Sequence, residues 1–101
     1  MDVITLDDPR DFVKYRTGSG GTVEIFDIAV GTERGIGRGR ALIAKLLSQI
    51  DASTLVFALT RGSNTPAHAF YMKVGFRCLG LLTRFYPDTG EDAVMFGLDV
   101  E

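Results

Sequence analysis

The sequence predicts an α/β domain whose elements run β-β-β-α-β-α-β-β. Three observations support that order. β-branched apolar runs stand where strands belong, two segments have helical character, and glycine- or proline-rich turns separate them. A strand–helix–strand middle implies at least one parallel strand pair. The 101 residues allow one domain, 1–101, with one small core. No repeat, low-complexity tract or domain-separating linker is visible.

Val3–Leu6 is a short apolar run and reads as the first strand. Asp7-Asp8-Pro9-Arg10 reads as a turn, after which Phe12–Arg16 can be a strand. Asp8 before Pro9 could instead cap a short helix, so the first 21 residues read as strands or as a short helix, with strands preferred. Gly18-Ser19-Gly20-Gly21 is the clearest turn in the chain. Thr22–Val30 is β-branched and apolar enough for a buried strand. Gly31–Gly39 is a glycine- and arginine-rich loop. In Arg40–Ile50, residues Leu42, Ile43, Leu46, Leu47 and Ile50 make one helical stripe. Thr54–Leu59 is the next strand. Ser63-Asn64-Thr65-Pro66 is a helix start, with a polar cap candidate and proline in the first turn. That helix runs to about Val74 and stops at Gly75, a residue suited to the left-handed C-terminal position. Phe76–Tyr86 and Ala93–Val100 are the last strands, joined by Pro87-Asp88-Thr89-Gly90.

Hydrophobic residues make up 46% and charged residues 24%, which excludes general disorder. A lone Cys78 excludes a disulfide scaffold. No apolar run approaches the roughly 20 residues of a membrane span. The acidic start MDVITLDDPR is unlike an export signal, so a reducing cytoplasm is expected. The net charge of −2 hides an asymmetry: residues 1–33 carry −4, residues 34–87 carry +7 and residues 88–101 carry −5. A basic block inside an acidic chain suggests a polyanion site. Nucleic-acid domains are usually basic throughout, so a small, highly charged cofactor fits better than nucleic acid.

Arg34-Gly35-Ile36-Gly37-Arg38-Gly39-Arg40 lies between a predicted strand and a predicted helix. Successive glycines let backbone amides converge, and the helix adds free amides and the positive end of its dipole. This composition suits a phosphate. It is not the nucleotide P-loop, because no Gly-Lys-Ser/Thr follows. It is not the dinucleotide fingerprint, because Arg40 or Leu42 stands where the third glycine belongs.

A second motif stands downstream, Asn64-Thr65-Pro66-Ala67-His68-Ala69-Phe70-Tyr71-Met72-Lys73-Val74-Gly75-Phe76. Together the two resemble the GCN5-related N-acetyltransferase (GNAT) family. One family motif is an apolar strand followed by R/Q-x-x-G-x-G/A, present as Arg34, Gly37 and Gly39 after Val23–Val30. The other is N-x-x-A-x-x-x-Y-x-K-x-G-F, present as Asn64, Ala67, Tyr71, Lys73, Gly75 and Phe76. Both occur in the family's order, and the resemblance covers about Thr22 to Val100. Two departures stand out. Only about 21 residues precede Thr22, so this resembles a short form lacking most of the family's N-terminal helices. Gly31-Thr32-Glu33 is also one residue shorter than in common members.

The resemblance implies a fold of the α+β type, a mixed and mostly antiparallel central sheet with two main helices, the acyl-CoA N-acyltransferase fold. Its fourth and fifth strands, here Thr22–Val30 and Thr54–Leu59, splay apart and hold acetyl-coenzyme A. Backbone groups near Ile28, Ala29 and Val30 would hold the pantetheine arm and thioester carbonyl. Amides of Arg34, Gly35, Ile36, Gly37, Arg38, Gly39 and Arg40 would hold the pyrophosphate. Asn64 and Ala67 would lie beside the arm. The implied activity is acetyl transfer to a primary amine, on a small-molecule or protein acceptor, by direct attack without an acyl-enzyme. The alternative is a non-catalytic coenzyme A-binding module serving as sensor or partner subunit.

Such a reaction needs a base for the amine, a carbonyl donor and an acid for the leaving thiolate. Tyr71 matches the family's tyrosine near the coenzyme sulfur, and a phenol is protonated at neutral pH. Glu24, six residues before Val30, sits where several members place a base. Strict alternation puts Glu24, Phe26, Ile28 and Val30 on one strand face and Asp27 on the other. His68 could face the same way as Tyr71. Cys78 reads as core, no zinc site is expected, and Arg84 and Tyr86 are candidates for the acceptor end. The short front end would leave sheet surface and a strand edge open, which predicts a homodimer.

Overall fold

The computed structural model describes residues 1–31, 36–51 and 54–98. Its elements are β1 (Asp2–Thr5), β2 (Phe12–Gly18), β3 (Thr22–Ala29), α1 (Ile36–Leu47), β4 (Leu55–Arg61), α2 (Thr65–Lys73), β5 (Phe76–Tyr86) and β6 (Glu91–Leu98). This is the predicted order, and the first 18 residues hold two strands and no helix. The six strands form one mixed sheet, β1-β2-β3-β4-β6-β5. β3 and β4 pair in parallel and the other neighbours antiparallel.

Local chemistry explains most boundaries. Gly20 and Gly21 both have positive φ, 80° and 78°, so the chain reverses tightly between β2 and β3. Asn64 caps α2 by accepting the Ala67 amide at 3.3 Å, and a proline sits in the first turn. Gly75, with φ of 107°, ends that helix and turns the chain into β5.

The helical stripe of α1 is as predicted: Leu42, Ile43 and Leu46 are buried, and Leu47 and Ile50 pack beside them. Its start differs. The helix begins at Ile36, so Gly37, Arg38 and Gly39 are helical rather than loop. Glycine propensity argues against a helix there, and tertiary contact overrides it. Gly39 is buried against α2, where an added Cβ would lie 2.7 Å from the Phe70 ring and 3.5 Å from Val74. The two helices therefore touch on one sheet face. Their core meets Val13, Tyr15, Val23, Ile25, Val56, Ala58 and Phe96 from the strands.

The other sheet face carries no helix among the described residues. The strand register places Val3, Lys14, Arg16, Glu24, Leu55, Phe57, Leu59 and Arg77 there, and Val3 and Leu55 are exposed. Leu79 overlies Gly97 on the same side. Cys78, expected in the core, is exposed on β5. The apolar pattern of β5 suggested burial, but β5 is one of the two edge strands and nearly all of its residues face solvent.

A paired substitution tests the Gly39 contact. Gly37 and Gly39 are both helical, so replacing glycine by valine changes helix propensity alike at each, but a Cβ at Gly37 meets nothing within 4 Å. In urea unfolding, Gly39→Val should cost about 1–3 kcal/mol more than Gly37→Val, because the Phe70 ring must shift. Equal losses would show that Gly39 does not set the spacing of the helices.

Candidate active site

The site starts from a ladder that stops. β3 and β4 pair only from Thr22–Leu55 to Ile25–Ala58. β3 continues beside β2 to Ala29, and β4 beside β6 to Arg61, but they no longer pair with each other. On the β4 side, the last β3 residues have no ladder partner among the described residues. A bulge drives the divergence. Ile25 faces Tyr15 and Asp27 faces Lys14, so Phe26 is an extra residue in β3. Bulges bend a strand and increase its twist.

The bulge also corrects the predicted faces. Glu24 pairs with Arg16 and Asp27 with Lys14, two residues apart on β2, so both carboxylates lie on the sheet face away from the helices. Ile28 pairs with buried Val13 and turns to the core face. Strict alternation fails because the inserted residue shifts the phase by one.

Between the diverging strands lies a cleft of about 470 Å³. Phe26, Asp27 and Ile28 form one wall, Leu59, Thr60 and Arg61 the other. Helix α2 closes it with Asn64, Pro66, Ala67, Phe70 and Tyr71, and Tyr86 reaches in from the end of β5. Tyr71 is 5% exposed, and its ring packs on Phe76 and Phe96 with centroids 5.2 and 5.8 Å away. Burial pushes its phenol above the ordinary pKa of 10, and the Asp27 charge pushes it further the same way. The phenol therefore keeps its proton at neutral pH.

The mouth at Arg61 is built by a clamp. The Arg61 guanidinium binds Asp88 at 3.0 Å and Glu91 at 3.3 Å and lies 4.1 Å from the Tyr86 ring centroid. It holds the Asp88 carboxyl below the usual range; Ser63 first, and then Arg61, do the same for Glu91. This pins the β5–β6 turn beside the cleft.

The family model that describes the acetyltransferase (GNAT) family matches residues 4–76. The chain belongs to the GNAT acetyltransferase family. Acetyl-coenzyme A is the co-substrate of that family. An uncharacterized protein of Mycobacterium leprae is 40% identical over 73 residues, 71% of this chain and 20% of that protein. An uncharacterized N-acetyltransferase of Methanocaldococcus jannaschii is 37% identical over 79 residues, 74% of this chain and 50% of that protein. The chain thus spans half or less of these relatives. A GNAT-family structure from Desulfovibrio desulfuricans superposes with a TM-score of 0.78 at 30% identity, covering 94% of this chain and 64% of that one. A Bacillus anthracis acetyltransferase solved with acetyl coenzyme A shares the fold, with a TM-score of 0.80 at 24% identity over 96% of this chain and 60% of that one.

The GNAT motif residues fall in several places. Ile28, Asn64, Ala67 and Tyr71 line the cleft. Ala29 ends β3, and Val30 packs on the core. Arg34 and Gly35 lie outside the described residues. Ile36, Gly37, Arg38 and Gly39 form the N-terminal turn of α1, where amides lack intrahelical partners. Two arginine side chains expected near phosphate are engaged elsewhere. Arg38 binds Asp7 and Asp11, and Arg40 donates to the Lys73 carbonyl at 3.1 Å. Glu24 is not among the lining residues; it faces Arg16 at 3.5 Å. His68 Nε2 donates to the Arg61 carbonyl at 2.9 Å, which gives the ring a structural role. Arg84 is exposed and its amide donates to Asp92.

Asp27 and Arg61 were missed as site residues. Asp27 is displaced from its expected face by the bulge, and Arg61 lies beyond the predicted end of β4. Among the described residues, no group of three or more His, Cys, Asp or Glu is placed to hold a metal ion.

The raised Tyr71 pKa gives a sign that can be checked. A phenol whose folded pKa is raised contributes stability that is intact below the unfolded value of about 10 and is lost as pH climbs through the folded value. In an ultraviolet titration, Tyr71 should ionise well above pH 10, and Tyr71→Phe should remove that step. Asp27→Asn should move the step downward. Ionisation of Tyr71 at or below 10 would mean that the ring is not buried beside a negative charge.

Proposed function

We propose that this domain is an N-acetyltransferase that moves the acetyl group of acetyl-coenzyme A to a primary amine. The carrying observation is the cleft that opens where the β3–β4 ladder stops, with the buried phenol of Tyr71 in its wall. In this reading the pantetheine arm pairs with the free edge of β3 near Ile28, Ala29 and Val30, as an added strand would. The pyrophosphate sits at the start of α1 on amides between Arg34 and Arg40, supported by the helix dipole rather than by the Arg38 charge. The amine nitrogen attacks the thioester carbonyl, the tetrahedral intermediate collapses, and the C–S bond breaks. Tyr71 gives its proton to the departing thiolate and regains one from solvent. The ammonium proton of the acceptor leaves toward the carboxylates of the outer face. Glu24 was the sequence's candidate base and can act through water; Asp27, in the cleft wall itself, has the shorter route. The domain works in the reducing cytoplasm, where exposed Cys78 stays a thiol.

A non-catalytic coenzyme A-binding module is the second reading. It is favoured by the bare outer sheet face, which leaves the acceptor side of the cleft without a covering element among the described residues. A thiol-release assay over a panel of primary amines separates the two: turnover supports the enzyme, and binding without turnover supports the module. Under either reading acetyl-coenzyme A must bind. At about 100 times its dissociation constant it should stabilise the fold by about 2.7 kcal/mol. No thermal shift at millimolar ligand would overturn both.

Removing only the donor should affect only the chemistry. Tyr71→Phe should lower turnover by about 10²–10⁴-fold with coenzyme affinity unchanged. Asp27→Asn should alter the pH–rate profile more than Glu24→Gln. The reverse ranking would return the base to Glu24.

We also propose that the working unit is a homodimer using the bare face. That face carries Lys14 and Arg16 beside Glu24 and Asp27, so two copies related by a two-fold axis can pair opposite charges around Val3 and Leu55. Each copy would then wall the other's cleft. Sedimentation at micromolar concentration should show a dimer; a single species of monomer mass would overturn it.

A further inference from the structure

Asp11 is a buried carboxylate that the acetyl-transfer reading does not use. Its residue is 0% exposed. A buried charge is costly unless it is paired and hydrogen-bonded, so its partners show what it holds. Oδ1 accepts the Gly31 amide at 2.8 Å. Oδ2 accepts the Arg38 guanidinium, from Nε at 3.0 Å and also from Nη2. Gly31 follows the end of β3, and Arg38 lies in the first turn of α1. One carboxylate therefore grips the chain on both sides of residues 32–35. The grip is close on the strand side, where a Cβ on Gly31 would lie 2.6 Å from the Arg10 Cβ and 3.1 Å from its carbonyl oxygen.

We propose that Asp11 is a positioning residue for the pyrophosphate of the coenzyme. It fixes the spacing between the strand end and the helix amides that receive the phosphates. This rests on the coenzyme reading above. Charge alone predicts the opposite. Asp7, Asp11 and Arg38 together carry a net negative charge beside the anion site, so removing an aspartate should favour an anion. Geometry and charge thus act on Asp11 with opposite signs.

The experiment measures the affinity of acetyl-coenzyme A and of S-acetyl-pantetheine, which lacks the pyrophosphate and nucleotide. It compares the unaltered protein, Asp11→Asn, Arg38→Lys and Asp7→Asn. Urea unfolding checks that each variant is folded. Asp11→Asn should weaken acetyl-coenzyme A by ten-fold or more and leave S-acetyl-pantetheine within about two-fold. Arg38→Lys keeps the charge but loses the forked contact, and it should behave alike even where Asp11→Asn folds poorly. Asp7→Asn removes only the outer, exposed carboxylate and should leave acetyl-coenzyme A binding equal or tighter. Unchanged or tighter acetyl-coenzyme A binding in Asp11→Asn and Arg38→Lys overturns the proposal and leaves the function reading intact. Equal loss of both ligands makes Asp11 a residue of general stability and also overturns it. An unaltered protein that binds no acetyl-coenzyme A overturns the function reading itself, and this proposal with it.

Discussion

The structure turns on the point where β3 and β4 stop pairing. A parallel ladder four residues long gives the two strands a common origin at Thr22–Leu55 and Ile25–Ala58. Past it, among the described residues, β3 is paired with β2 and β4 with β6, on their far sides. An open sheet interior with unpaired backbone would ordinarily be costly. Here it faces a cleft that solvent or a ligand can fill, and the bulge at Phe26 makes the opening geometrically consistent. Helix α2 then has to start directly from the end of β4. Asn64 caps it, and Tyr71, two turns on, reaches the cleft while its ring stays in the aromatic core.

The charge pattern along the chain takes a different meaning in three dimensions. The basic middle block meets the acidic ends. Arg38 binds Asp7 and Asp11 from the N-terminal third, and Arg61 binds Asp88 and Glu91 from the C-terminal segment. The exposed members of these pairs add little stability. Their effect is on position: one set ties the first hairpin to the start of α1, and the other ties the last hairpin to the cleft mouth. Charge asymmetry in a sequence can thus record internal pairing as well as a ligand. At the start of α1 the Arg38 charge is already paired with Asp7 and Asp11, which leaves backbone amides and the helix dipole there.

The glycines of the α1 turn divide along the same line. Gly39 is needed by the protein, because the Phe70 ring occupies the space a side chain would take. Gly37 faces open space, so nothing in the described fold requires it.

The sequence by itself determined the element order, the turns at Gly20-Gly21 and Gly75, the stripe of α1 and the Asn64 cap. These depend on periodicity and on local backbone chemistry, which neighbouring residues carry. The family motifs added the cleft and Tyr71. Only the tertiary structure decided the rest. Asp27 shares a face with Glu24 because one inserted residue in β3 shifts the alternation, and that insertion exists only relative to β2. Gly39 stands in a helix because α2 packs against it, and Gly37 lies in the same turn. Cys78 is exposed because β5 lies at the sheet edge, a fact of strand order rather than of composition. The burial of Asp11 and its hold on Gly31 and Arg38 are legible nowhere in the pattern of residues 7–11. Those bonds join positions 20 and 27 residues apart, and only the folded chain brings them together.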